Sequence, residues 1–172
     1  MSSNPVDDLG SQQVRSFLEL LDLQPAGQDT FRGWNPPTPE RPFQQSLFGG
    51  QVAAHALRAA QLTVEADHSI HSLHGYFLRP GKDDATTDLQ VDRIRDGRSF
   101  TTRTVVARQD GEAIFNLTAS FHADESGGDF ATPIDPDIPQ PEELLRHEPS
   151  RFDRMGVESP FERLYVPGYS FR

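Results

Sequence analysis

The sequence predicts an α+β domain in which an antiparallel sheet curls around one central helix. Three observations predict it. Gln51 to Val64 carries an apolar stripe at helical spacing with no proline inside it. Thr87 to His122 holds three strand-like runs separated by Asp96-Gly97 and Asp110-Gly111, dipeptides that favour tight hairpin turns. Ile70 to Leu78 alternates just ahead of them as a further strand.

Taken in order, residues 1–10 are polar and read as a frayed end. Val14, Phe17, Leu18 and Leu21 then stand at i, i+3, i+4 and i+7, the stripe of an amphipathic helix, with Ser11 as N-cap and Pro25-Ala26-Gly27 as its end. Asp29 to Trp34 reads as a short strand, and the four prolines between Asn35 and Pro42 read as a loop. Gly49-Gly50 opens the central helix, whose stripe is Ala53, Ala56, Leu57, Ala60 and Val64. A face made mostly of alanine lets a helix lie close to a sheet that wraps it. On the first long strand His71, Leu73, Gly75 and Phe77 fall on one face. Ile70, Ser72, His74, Tyr76 and Leu78 fall on the other. On the last strand Phe115, Leu117, Ala119 and Phe121 share a face.

Past His122 the regular apolar runs stop, and residues 123–172 hold seven of the 14 prolines. Three parts are expected: an N-terminal helical segment (1–27), the sheet-and-helix domain (28–123) and a Pro-rich acidic linker or arm (124–172). A short helix is expected from Pro141 to His147 inside that arm. One long helix inside about five antiparallel strands is the hot-dog architecture.

Composition limits the function. The net charge of −10 argues against general phosphate binding to nucleic acid. Lys82 is the only lysine among 16 basic residues, so arginines supply almost all the positive charge. There is no cysteine, which excludes disulfides, a catalytic thiol and cysteine-ligated zinc. No apolar run approaches the roughly 20 residues that span a bilayer. A soluble cytoplasmic protein with no membrane span is expected. No Gly-x-Ser-x-Gly elbow, Walker A loop or dinucleotide fingerprint is present.

Four segments then point one way. Phe48-Gly49-Gly50-Gln51-Val52 resembles the helix-opening motif of the acyl-CoA thioesterase II family. His71-Ser72-Leu73-His74-Gly75-Tyr76-Phe77-Leu78-Arg79-Pro80-Gly81 resembles that family's first long strand. Arg95-Asp96-Gly97-Arg98-Ser99-Phe100 resembles its hairpin, and Thr118-Ala119-Ser120-Phe121 the end of its last strand. The resemblance implies hydrolysis of a fatty acyl-CoA to free fatty acid and CoA, with no cofactor and no metal. It also implies a double hot-dog protein of which this chain is the N-terminal half. The family's catalytic Asp, hydroxyl residue and Gln lie in the second hot-dog domain, so none of the three is carried over here. The ending at Pro167-Gly168-Tyr169-Ser170-Phe171-Arg172 reads as truncation, and the expected partner is a second hot-dog domain or another copy of the chain.

The candidate site residues follow. Gly49 and Gly50 sit where free helix N–H groups can polarise a thioester carbonyl, or they merely make a tight entry to a buried helix. Gln51 orients a water or caps the helix. His71, on the face of Leu73 and Phe77, is a general-base candidate, set against a plain core histidine. His74 on the other face cannot share a metal with it. His55 reads as packing or surface. Arg79 and Lys82, and separately Arg93, Arg95 and Arg98, are phosphate-contact candidates, set against solvated turns. A non-catalytic acyl-CoA-binding or structural hot-dog module is the alternative. An enoyl-CoA hydratase has less support, because Gly49-Gly50-Gln51 lacks an acid–histidine pair.

Overall fold

The computed structural model describes residues 18–35, 46–83, 85–133 and 137–144. One compact unit runs from Leu18 to Ser126. Its elements are β1 (Gln24–Gly27), β2 (Thr30–Trp34), α1 (Gly49–Gln61), β3 (His68–Phe77), β4 (Thr86–Arg95), β5 (Phe100–Gln109) and β6 (Glu112–Ala123). The six strands form one sheet in the order β1-β2-β4-β5-β6-β3, and every neighbouring pair is antiparallel. The meander β4-β5-β6 is the part the Asp-Gly turns predict.

Helix α1 lies across one face of this sheet. Val52, Ala56, Ala59 and Ala60 pack on Leu89 and Val91 of β4, Val105 and Ala107 of β5, and Phe115, Leu117, Ala119 and Phe121 of β6. Burying these side chains supplies the driving force. The outward alternates Thr102, Thr104, Asn116, Thr118 and Ser120 are polar and remain partly or fully accessible. The helix begins at Gly49 rather than Gln51 and ends at Gln61 rather than Val64. Its buried stripe includes Val52, His55 and Ala59, while Ala53, Leu57 and Val64 flank the core, only partly buried.

Two local expectations fail for identifiable reasons. Helix ends at Leu20, and Pro25-Ala26-Gly27 forms an edge strand instead of a helix stop. Proline lacks an N–H, which a sheet edge tolerates. At Asp110-Gly111 both residues have positive φ, 50° and 82°, as a two-residue type I′ turn requires. Asp96-Gly97 instead belongs to a four-residue connection, because Arg103 captures the Asp96 carboxylate.

Outside the compact unit, α2 (Pro141–Leu144) is a single turn. The Gln140 N–H donates to the Glu143 carboxylate at 3.1 Å, and the Glu143 N–H donates back to the Gln140 carbonyl. The expected continuation to His147 lies outside the described residues.

His55 belongs to the core. It is fully buried, and its Nε2–H donates to the Leu20 carbonyl at 2.5 Å, which ties the last turn of the N-terminal segment to α1. Its Nδ1 is buried with no hydrogen-bond partner among the described residues. A Cβ on Gly33 would come 2.6 Å from that nitrogen, so glycine is required there. Burial holds the His55 pKa below its ordinary 6.5. The unfolded chain therefore binds a proton that the folded chain resists. Stability is complete above about pH 6.5 and declines as pH falls below it, by up to about 1.4 kcal/mol per pH unit. Urea unfolding at pH 7.5, 6.5 and 5.5 should show this decline, and His55→Gln should flatten it. An unchanged slope in the variant would assign the acid loss to other groups.

Candidate functional site

The N-terminus of α1 opens into a groove of about 340 Å³, lined by Leu47, Gly49, Val52, Ile114 and the segment from Phe77 to Gly81. That segment continues past β3 because the N–H groups of Leu78 and Arg79 both donate to the Ile114 carbonyl, at 2.8 and 3.2 Å. The Leu47 N–H donates to the Gly81 carbonyl at 2.7 Å and closes the other side. A side chain at residue 81 would press on Ile114 and Leu47, at 3.0 and 3.1 Å.

Phe48 is the N-cap residue, with extended φ and ψ of −62° and 124°; it gives no side-chain cap, and the first turn holds no acid. The Gln51 N–H donates to the Phe48 carbonyl at 3.0 Å. The N–H groups of Gly49 and Gly50 precede that first closing bond and point out of the helix. They carry the positive end of the helix dipole. Two phenyl rings occupy the places where side chains at 49 and 50 would stand. A Cβ on Gly49 would lie 3.0 Å from the Phe77 ring, and one on Gly50 would lie 2.5 Å from the Phe48 ring. The glycines thus serve both readings. They admit the rings, and they leave the donors open.

Gln51 is committed to a buried polar chain. Its Nε2 donates to Asn35 Oδ1 at 3.1 Å, and Asn35 Nδ2 donates to the Ala85 carbonyl and to Thr87 Oγ1. Gln109 Nε2 donates to Thr87 Oγ1 and to the Lys82 carbonyl, and the Lys82 N–H donates to Gln109 Oε1. This chain ties the helix start to β2, β4 and β5. Sequence inspection misses Asn35, Thr87 and Gln109, because nothing local marks them.

Arg79, Lys82 and Arg93 are already paired. Arg79 lines the groove, but Nη1 donates to the Ala113 carbonyl at 2.8 Å and Nη2 lies 3.4 Å from Glu112. Lys82 Nζ lies 2.6 Å from Asp110. Arg93 bonds both oxygens of Asp29, at 2.8 and 2.9 Å, and those hydrogen bonds hold the Asp29 carboxyl below the usual carboxylate range. Arg95 and Arg98 are exposed or partly exposed beside that cluster. None of the three lines the groove.

The expected facing of His71 is corrected. Register partners share a face, so Ile70 (opposite Phe121), Leu73 (opposite Ala119), Gly75 and Phe77 face the helix. The pairing shifts between Ile70 and Ser72. This β-bulge turns His71 out with Ser72, His74 and Tyr76. His71 Nε2 lies 2.9 Å from Ser120 Oγ, and its ring meets Phe100 and His122 on the outer face, away from the groove. Among the described residues, no group of three or more His, Asp or Glu side chains is placed to hold a metal ion. None of their helices is long and apolar enough to cross a membrane.

Strand β3 is a sheet edge, and the apolar side chains Leu73 and Phe77 on its helix face are 54 % and 64 % exposed.

Comparison with known proteins fits this geometry. Residues 37–122 match the family model of the acyl-CoA thioesterase N-terminal domain. The chain is 41 % identical over 143 residues to mouse acyl-coenzyme A thioesterase 8, covering 80 % of this chain and 43 % of that protein. The solved acyl-CoA thioesterase II TesB2 from Mycobacterium marinum is 39 % identical, with a TM-score of 0.60 over 75 % of this chain and 48 % of that one. A hot-dog protein of unknown function from Alicyclobacillus acidocaldarius superposes with a TM-score of 0.66 at 27 % identity, over 82 % of this chain and 52 % of its own. The chain spans less than half the length of these curated thioesterases, mouse, rat and human acyl-coenzyme A thioesterase 8 and Haemophilus influenzae acyl-CoA thioesterase 2. A hot-dog sheet wrapped on a glycine-opened helix, matched to that family model over half its length, makes this chain a member of the acyl-CoA thioesterase family, carrying its N-terminal domain.

Proposed function

We propose that this chain supplies one half of an enzyme that hydrolyses the thioester of a fatty acyl-CoA. The observation that carries the proposal is the uncapped N-terminus of α1 opening into a groove walled by Leu47, Val52, Phe77 and Ile114. Once a second hot-dog domain covers this groove, the dipole there meets little competing water, which strengthens its pull on a developing oxyanion. Water attacks the thioester carbonyl, and the Gly49 and Gly50 N–H groups take the negative oxygen. The C–S bond then breaks, and the CoA sulfur leaves as a thiol after receiving a proton. Gln51 acts by holding the first helical turn through Asn35. Arg79 serves at the rim. Its exposed pair with Glu112 is worth at most about 1 kcal/mol, so a CoA phosphate can displace that partner.

The base that activates water comes from a second hot-dog domain seated along the β3 edge. The exposed Leu73 and Phe77 support that position. A cytoplasmic setting belongs to the same proposal, which cell fractionation checks. One observation favours the alternative, an acyl-CoA-binding or structural module: among the described residues, no Asp, Glu or His lines the groove. Palmitoyl-CoA decides between them. The chain joined to a second hot-dog domain should release CoA, and the 172-residue chain alone should bind without turnover. If the joined form is inert toward acyl-CoAs of every length, the proposal is wrong.

A further inference from the structure

We infer that Phe77 is the residue that selects acyl shape at this groove, admitting chains that are unbranched beside the carbonyl. The inference rests on the thioester reading above and goes on to name the substrate class. Its basis is how firmly one exposed ring is held. The Phe77 ring leans tilted against Phe115, with centroids 4.8 Å apart and an interplanar angle of 43°. Phe115 is itself buried in the core, beneath Gly75. A Cβ on Gly75 would come 2.7 Å from the Phe115 ring tip and 2.8 Å from the Asn116 carbonyl oxygen, so the ring has its place only because residue 75 has no side chain. On its other flank Phe77 lies against Gly49, where a Cβ would stand 3.0 Å away. Gly75, Phe115, Phe77 and Gly49 thus form a contact series running from the core to the open donors.

A carbonyl that reaches the Gly49 N–H brings its neighbouring carbon alongside the Phe77 ring. The ring is 64 % exposed, and it can swing aside only by giving up its contact with Phe115. A methyl branch on that carbon therefore meets the ring and must displace it from Phe115, whereas a straight chain passes along the ring face and gains apolar contact.

The test is calorimetric binding to the 172-residue chain. The probes are S-(2-oxododecyl)-CoA, which keeps a carbonyl and cannot be hydrolysed, and its analogue with one methyl on the carbon beyond the ketone. The native chain should prefer the straight probe by roughly tenfold or more, the scale of one methyl in a shaped apolar pocket. Phe77→Ala should bring the ratio close to one, and Phe77→Leu should leave it between. Tyr76→Ala, on the outer face, should keep the native ratio. The ratio is read rather than the affinity, because a general loss of apolar contact weakens both probes alike. A native chain that binds the two probes equally overturns the inference, as does a Phe77→Ala chain that keeps the native ratio, and both leave the thioester reading standing. A chain that binds neither probe overturns the inference together with that reading.

Discussion

Replacing Gly49 by proline is expected to lower acyl-CoA hydrolysis by the two-domain form by about 10²- to 10³-fold, the usual effect of losing one oxyanion donor. Gly49 is the first helical residue, where proline fits the helix and removes a single N–H. Phe48 ahead of it already has extended φ and ψ of −62° and 124°, which a residue before proline prefers. The helix should therefore survive. A ring at residue 49 also presses on Phe77, and Gly49→Ala controls for that. The alanine adds the crowding and keeps the donor, so it should retain most of the activity. The difference between the two variants, read as kcat with palmitoyl-CoA, isolates the N–H. Equal losses in both would assign the effect to crowding and remove Gly49 as a donor.

Arg103→Leu is expected to cost about 3 kcal/mol, near the low end for breaking a buried ion pair. Arg103 is 1 % exposed. Its Nε donates to Thr63 Oγ1 at 2.8 Å, and Nη1 donates to the carbonyls of Arg95 and Thr102, each at 3.0 Å. Nη2 donates to the Thr63 carbonyl at 2.9 Å and to Asp96. Thr63 Oγ1 passes its own proton to the Ala60 carbonyl. One guanidinium thus fastens the end of α1 to the β4–β5 connection. Its removal strands several acceptors away from water. The low end of the range applies because Asp96 is 60 % exposed and is rehydrated when its partner leaves. Asp96→Asn should accordingly cost about 1 kcal/mol or less. Urea midpoints give both values. The leucine variant should also melt roughly 10 °C lower. An Arg103→Leu chain as stable as the native one would show that this network adds nothing net.

The architecture was legible in the sequence where the signal is local. Gly49-Gly50 marks the helix entry. Asp110-Gly111 marks a turn because its backbone needs positive φ, and β6 alternates from Phe115 to Phe121. The misreadings come from contacts that a linear pattern cannot carry. His71 was placed by strict alternation, and one unpaired residue reversed its face. His55 is the deepest polar group of the helix, yet its partners are Leu20 and the bare backbone at Gly33. Asn35, Thr87 and Gln109 find one another, and Arg103 finds Thr63, across sequence separations of 22 to 52 residues. Of the candidate site, Gly49 and Arg79 were readable as groove residues. The Phe77 ring that walls it was not, because a phenylalanine in a strand reads as core whether or not it ends there.

The pairing of this domain with a second one through β3 is tested most directly by sedimentation velocity on the 172-residue chain, native and Leu73→Asp, from about 1 to 100 μM. Exposed apolar edges seek partners. The native chain should sediment as a dimer or larger assembly. The aspartate variant, charged at the centre of β3, should shift toward monomer without loss of folded structure. A native chain that stays monomeric and stable across the whole range would contradict the pairing.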